Sequence, residues 1–318
     1  MLFNSHDDSK WGTIDHIGLY NRLQWPEGPV DVVFDSDTYN EIDDQFALAY
    51  LIKNNDKLRL KAIYAAPFFN DKSTGPKDGM EKSYDEIKNI LALMGVEKQY
   101  GSVTFKGSDA FLSSEDAPVV SDSAKDLAER AMNYTPDAPL YVVAIGAITN
   151  VASALLINPA IRDRIVIVWL GGNALDWHNN REFNLFQDVA SARVVMGCGA
   201  AVVLLPCMGV VSAFYVTAPE LEHYLTGKNK LCDYLLKATL QYSAERHELP
   251  TWARPIWDVT AVAWLLDPEF MIDRFEHSPV PEYDHRWATD RSRHMMRYVY
   301  HIDREKLFYD MFQKLAQA

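Results

Sequence analysis

"PLYVVAIGAITNVASALLINPAIRDRIVIVWLGG", residues 139–172, decides the fold. Its flanks, PLYVVAI (139–145) and RIVIVWL (164–170), are apolar without interruption, too short for helices and rich in Val and Ile. Between them TNVASALLIN (149–158) reads as a helix that Pro159 ends. A strand apolar at every position is covered on both faces, and helices between such strands imply a mostly parallel sheet.

The same grammar extends in both directions. VDVVF (30–34) reads as a strand, DDQFALAYLI (43–52) as a helix and LKAIYAA (60–66) as a strand. SYDEIKNILALMG (83–95) reads as a helix with Ser83 and Glu86 as a capping box, Ile87, Ile90, Leu91 and Met94 on one face, and Gly95 at its end. SAKDLAERAMN (123–133) predicts another helix, and a helix over 189–196 leads into the strand AAVVLL. The second half looks more helical, with KLCDYLLKATLQYSAERH (230–247), IWDVTAVAWLL (256–266) and a last helix from Asp303. Residues 1–29 show no clear period and read as an N-terminal extension. With no repeats and no Gly/Ser linker, 1–318 is expected to form one α/β domain whose helical C-terminal portion packs on the sheet.

Composition narrows the function. The chain has 318 residues, 48% of them hydrophobic, which is ample for a large core. A net charge of −13 argues against nucleic-acid and anionic-membrane partners and favours a small-molecule substrate. Three cysteines, Cys198, Cys207 and Cys232, are too few and irregular for a disulfide framework or a zinc site. The uncharged run 200–218 is divided by Pro206 and Gly209, so it reads as a buried strand and a loop rather than a membrane span. The default setting is cytoplasmic.

One stretch does not fit a plain scaffold. VVFDSDTYNEIDDQFALAY (32–50) places Asp35, Asp37, Glu41, Asp43 and Asp44 at the end of a buried strand. Ligands of parallel sheets bind at that end. Asp43 and Asp44 alone would suit a helix N-terminus. Asp35 and Asp37 follow the strand too closely to stay fully solvated, and buried carboxylates need a partner. Converging carboxylates suggest a hard cation held by oxygen, Ca²⁺ or Mg²⁺. An EF-hand is ruled out, because its sixth and twelfth positions counted from Asp35 hold Asn40 and Phe46. A Mg²⁺-dependent phosphatase of the haloacid-dehalogenase type begins similarly, although its fifth position is here Tyr39.

The stretch also resembles the Asp-x-Asp…Asp-Asp signature of the inosine/uridine-preferring nucleoside hydrolases, Ca²⁺-dependent enzymes that cut the N-glycosidic bond of ribonucleosides. The resemblance continues in order through IGAITNVASAL (145–155), the Gly pair 171–172, EFNLFQDVASARVV (182–195), WDVTAVAWLLDPEFM (257–271) and HIDREKLFYDMF (301–312). It implies a nucleoside-hydrolase-like fold and a homo-oligomer, dimer or tetramer. It also implies a site in which Asp37 is metal ligand and general base, Asp44 and Asp258 are further carboxylate ligands, and Ile145 gives its backbone carbonyl. Asp43 would lie near the ribose hydroxyls and Asp35 behind the ligands. Glu182 and Asn184 would grip the ribose, joined by Asn70 and by Asn179 or its neighbour Asn180.

Two features depart from the family. Where it has a Pro-Gly turn this chain has TYNE, two residues longer, so Tyr39, Asn40 and Glu41 either reach into the site or only lengthen the turn. Where many members have His before the last ligand, this chain has Trp257, as do some purine-preferring members; purine ribonucleosides are the expected substrates. An indole is no proton donor to a ring nitrogen, which leaves His178 and, more remotely, His294 as candidate acids for the leaving base. A binding protein that kept the metal pocket but lost catalysis is the alternative from a different class.

Overall fold

The computed structural model describes residues 10–246 and 249–317. Strands β1 (Val30–Ser36), β2 (Leu58–Ala65), β3 (Thr104–Lys106), β4 (Leu140–Ala144), β5 (Ile165–Leu170) and β6 (Ala201–Leu205) form most of an eight-stranded sheet. The order is β3-β2-β1-β4-β5-β6, followed by Met295–Ile302 and then Met271–His277. Every pairing is parallel except the last, where Met271–His277 runs antiparallel to Met295–Ile302.

β4, β5 and β6 are buried at every position, as their unbroken apolar sequences require. Each Val, Leu or Ile so covered contributes about 1.5–3 kcal/mol. Apolar cores lie on both faces of the sheet. One takes α2 (Asp44–Lys53) and the C-terminal helices, the other the helices Asp122–Arg130, Thr149–Ile157 and Val189–Gly197. From β1 the strand order grows one way through β2 and β3 and the other way from β4. That reversal opens a crevice beyond the carboxyl ends of β1 and β4, the standard ligand position in such sheets.

Several expectations need correction. The helix expected from Ser83 begins seven residues earlier, as α3 (Pro76–Leu93) with proline in its first turn. Ser83 is therefore interior, and its hydroxyl donates to the Gly79 carbonyl one turn back. Glu86 is not a cap either; it accepts from Asn89 and Tyr234. Gly95 does end the segment, at φ 72°. The helix expected over 256–266 shortens to Val259–Ala263. The helical second half also carries the last two strands in the sheet order, Met295–Ile302 and the edge strand Met271–His277. Within the N-terminal extension His16–Arg22 forms α1, capped by Asp15; residues 1–9 lie outside the described part. The uncharged 200–218 run divides as expected into the buried strand β6 and a loop, and the loop then leads into a short strand that was not expected, Tyr215–Thr217; among the described residues no helix is long and apolar enough to cross a membrane.

Candidate active site

The chain leaves β1 through its carboxylates. Asp35, still in the strand, is fully buried, and its Oδ1 accepts from Asn150 Nδ2 at 2.8 Å. Its Oδ2 has no hydrogen-bond partner. Burial pushes the carboxyl up to about 7, with the Asn150 bond pulling the other way. Asp37 lies just past the strand, where Asn40 N donates to its carbonyl at 2.7 Å and closes the turn. Asp37 Oδ2 is buried without a partner as well. A Cβ on Gly146, which follows the end of β4, would stand 3.1 Å from Asp37 Oδ1. Glycine there leaves the Asp37 carboxyl its room.

Asp43 and Asp44 start α2, so capping is the ordinary explanation for them. The geometry gives another. Asp43 occupies the N-cap position yet makes no side-chain cap bond; its Oδ2 accepts from Asp258 N at 3.3 Å. Asp258, at the N-cap of Val259–Ala263, makes none either. Asp44 Oδ1 accepts from Ser36 Oγ at 2.6 Å. Carboxylate oxygens of these three buried residues lie within 4.8 Å of one another. Ionised pairs that close repel by roughly 3 kcal/mol at an effective dielectric of ~20. Accordingly burial, then Asp43, raises Asp44 to about 7, and burial, then Glu41, raises Asp43 to about 6. Burial first, and neighbouring carboxylates second, hold Asp37 and Asp258 well above the usual range. Hard, anionic oxygens with unfilled valence and mutual repulsion are the donor set a divalent cation takes.

These groups line a cavity of about 230 Å³. Asp37, Asp43, Asp44 and Asp258 face it, as do Ile145, Glu182, Asn184 and Trp257. Glu182 does double duty: as N-cap of Phe183–Gln187 it accepts from Asn184 N and Leu185 N, and it also accepts from Gly172 N at 2.7 Å. Those donors oppose the upward push of burial on its carboxyl. Asn184 Nδ2 donates to the carbonyls of Ile145 (3.1 Å) and Leu170 (3.0 Å), tying the ends of β4 and β5 together.

Asn70 and Asn179 do not line the cavity. Asn70 stands behind the wall, its Nδ2 donating to Asn40 Oδ1 at 2.6 Å. The Asn179 side chain accepts from Arg181 N, and Asn180 Oδ1 accepts from Asn173 N. The polar residues that face the cavity from this loop are Asn173, directly after the Gly pair, and Arg181. For Asn173, its place one step beyond a strand-end Gly-Gly was the available signal. Asn40 and Glu41 of the longer turn do reach the cavity, while Tyr39 is exposed. Cys207 lines it too, beside Glu182. Neither candidate acid is there. His178 is exposed, its ring 5.4 Å from that of Trp177. His294 is buried and pushed down to about 3 by burial and by Arg293. Asn150, the hub that also ties Ser108 N and Ala65 O to Asp35, was missed; a lone Asn in an apolar helix was its signal.

Comparison with known proteins follows the same lines. The sequence model of a family described as inosine-uridine preferring nucleoside hydrolase matches residues 32–309. The pyrimidine-specific ribonucleoside hydrolase RihA of Citrobacter koseri is 28% identical over 153 residues, which are 46% of this chain and 48% of that protein. The match thus spans about half the length of that relative. Among solved structures, the plant nucleoside hydrolase PpNRh1 superposes with a TM-score of 0.71 at 18% identity, covering 91% of this chain and 100% of that one. The purine-preferring ribonucleoside hydrolase from Gardnerella vaginalis gives 0.69 at 19%, covering 90% and 98%. At such identities the structural likeness concerns the fold.

Proposed function

The chain belongs to the inosine-uridine preferring nucleoside hydrolase family, and from that premise we propose that it hydrolyses the N-glycosidic bond of ribonucleosides, prefers purines and uses Ca²⁺. The observation that carries the reading is the convergence of Asp43, Asp44 and Asp258 at the mouth of the β1–β4 crevice. We read the chain as one domain, since strands from both halves share the sheet.

In this reading Asp37, Asp44, Asp258 and the Ile145 carbonyl hold the cation. When bound, it supplies the positive charge that acidifies water and attracts vicinal ribose hydroxyls. Asp37, with a buried oxygen that no protein group satisfies, takes the proton of the attacking water. Asp43, Glu182 and Asn184 accept from ribose hydroxyls, and Asn173 joins them in place of Asn179. Asn70 acts through Asn40. Holding the sugar against the attacking water lowers the barrier by several kcal/mol, on the order of what orientation achieves elsewhere. The phosphatase alternative has less support in the cavity: among the described residues Arg181, not a lysine, is the cation that lines it, and Asp35 is bonded to Asn150 rather than facing it.

The test is ribose release from a panel of nucleosides with and without chelator. Release that chelation stops and Ca²⁺ restores is expected. Phosphate release from sugar phosphates, with no ribose from any nucleoside, would overturn the proposal.

Cation binding should also be visible without turnover. In the metal-free fold Asp43 and Asp44 keep their protons up to about pH 6 and about pH 7, against roughly pH 4 when unfolded. Their contribution to stability is full below about pH 4 and is lost as pH rises through 6–7. A cation must displace those protons. The Tm difference between Ca²⁺-loaded and chelated protein should therefore be larger at pH 8 than at pH 5.5. An equal difference at both would remove these carboxylates from the site.

Base preference rests on Trp257, which is half-buried and lines the cavity directly before Asp258. Its aromatic face suits the larger purine ring system. Inosine and adenosine should show higher kcat/KM than uridine and cytidine, and Trp257→Ala should cost purines about 10-fold more than pyrimidines. Equal losses would make Trp257 a packing residue.

A further inference from the structure

We propose that Glu41, in the lengthened turn of the first acidic motif, is a specificity-determining residue that accepts hydrogen bonds from N–H donors on the edge of the leaving base, and so selects guanine-type bases. The inference rests on the purine-stacking reading of Trp257.

Glu41 lines the cavity but stands outside the trio of carboxylates that converge on one another. Its carboxylate is fixed from behind. Oε2 accepts from Arg254 Nη2 at 2.6 Å, and Oε1 accepts from the Tyr242 hydroxyl at 3.2 Å. The Tyr242 ring is itself held between cations, with the Arg254 guanidinium 4.0 Å and the Lys72 ammonium 4.8 Å from its centroid. Arg254 lies three residues before Trp257, and the strand Ala253–Pro255 that carries it pairs with Tyr215–Thr217. The ion pair therefore ties Glu41 to the segment that leads into Trp257, and both residues line the same cavity.

A carboxylate offers about four acceptor positions. Two are used by Arg254 and Tyr242, which leaves one on each oxygen, and the side chain is 32% exposed. Two parallel acceptors match two parallel N–H donors in the way a carboxylate matches a guanidinium fork. Guanine presents such a pair, its ring imino N–H and its exocyclic amino group. Hypoxanthine presents only the imino N–H, and unsubstituted purine presents neither. The residues added in this turn then have a use: Asn40 is braced by Asn70, and Glu41 is aimed by Arg254.

The experiment compares guanosine, inosine and purine riboside as substrates of wild type and Glu41→Gln. It also titrates free guanine and free purine into both proteins calorimetrically. Wild type should rank guanosine above inosine above purine riboside. Glu41→Gln should lower kcat/KM for guanosine at least ~10-fold more than for purine riboside, the scale of a lost bidentate contact. It should weaken guanine but not purine, and the unchanged purine binding reports an intact fold. Equal losses for guanosine and purine riboside, or none, overturn the role. If wild type releases ribose from no nucleoside, the hydrolase reading fails separately. The titrations still decide Glu41: a guanine preference retained in Glu41→Gln refutes it, and one lost supports it.

Discussion

Asp37→Asn is expected to lower kcat at least ~100-fold while nucleoside binding stays measurable. The asparagine keeps the shape of the side chain and one coordinating oxygen, but it cannot take a proton. Asp37 is suited to that step by what surrounds it. It lies at the end of a parallel strand, its Oδ2 is buried without a partner, and Gly146 leaves its carboxyl clear on the β4 side. The asparagine stays beside the converging carboxylates of Asp43, Asp44 and Asp258, so the pocket keeps most of its oxygen donors. The expected pattern is a collapse of kcat that Ca²⁺ at saturation does not restore, with a Ca²⁺-induced Tm shift reduced but still present. Near-normal turnover would refute the role. No turnover in wild type, with nucleosides still bound, would instead identify a binding protein that kept the pocket.

The sheet was legible because its strands are simple. A strand buried on both faces has no polar position to confuse the reading, and 139–172 contains two of them around a helix. The missed strands are of the opposite kind. MIDRFEH runs along the sheet edge with most positions partly exposed, and MMRYVYHI carries Arg297, whose guanidinium reaches Leu23 O and Asp273. Their charges satisfy tertiary partners that no local pattern announces. The capping-box reading of Ser83 and Glu86 failed for a related reason. Proline and glycine started α3 earlier, and Tyr234, 148 residues away, took the Glu86 carboxylate. In the site, Asp35 to Asp44 could be read because one strand end gathers them. Asp258, 215 residues from the Asp43 it touches, was reachable only through the family resemblance. Loops gave the least. Asn173 rather than Asn179 faces the cavity because of a turn after Gly172, at φ 69°, that spacing alone does not fix.

Asp258→Asn should have the other large effect, and in two directions at once. Asp258 is the member of the trio that comes from the second half of the chain, and it closes the oxygen set begun at the end of β1. Removing it should weaken Ca²⁺ binding at least ~100-fold, beyond what altering a ligand's supporting contacts usually costs. Ribose release should fall to background at micromolar Ca²⁺. The metal-free protein should respond oppositely. Burial first, and then Asp43, Asp44 and Asp37, raise the Asp258 carboxyl well above its usual range, so above that usual range the tendency of the group to ionise works against the metal-free fold. A neutral amide of the same shape relieves that repulsion, and the chelated variant should melt about 2 °C or more above chelated wild type at pH 8. Added Ca²⁺ should then stabilise wild type and leave the variant almost unmoved. An unchanged Ca²⁺ response would show that Asp258 holds no cation. A lower metal-free Tm would show that its carboxylate is a structural group whose hydrogen bonds outweigh the repulsion around it.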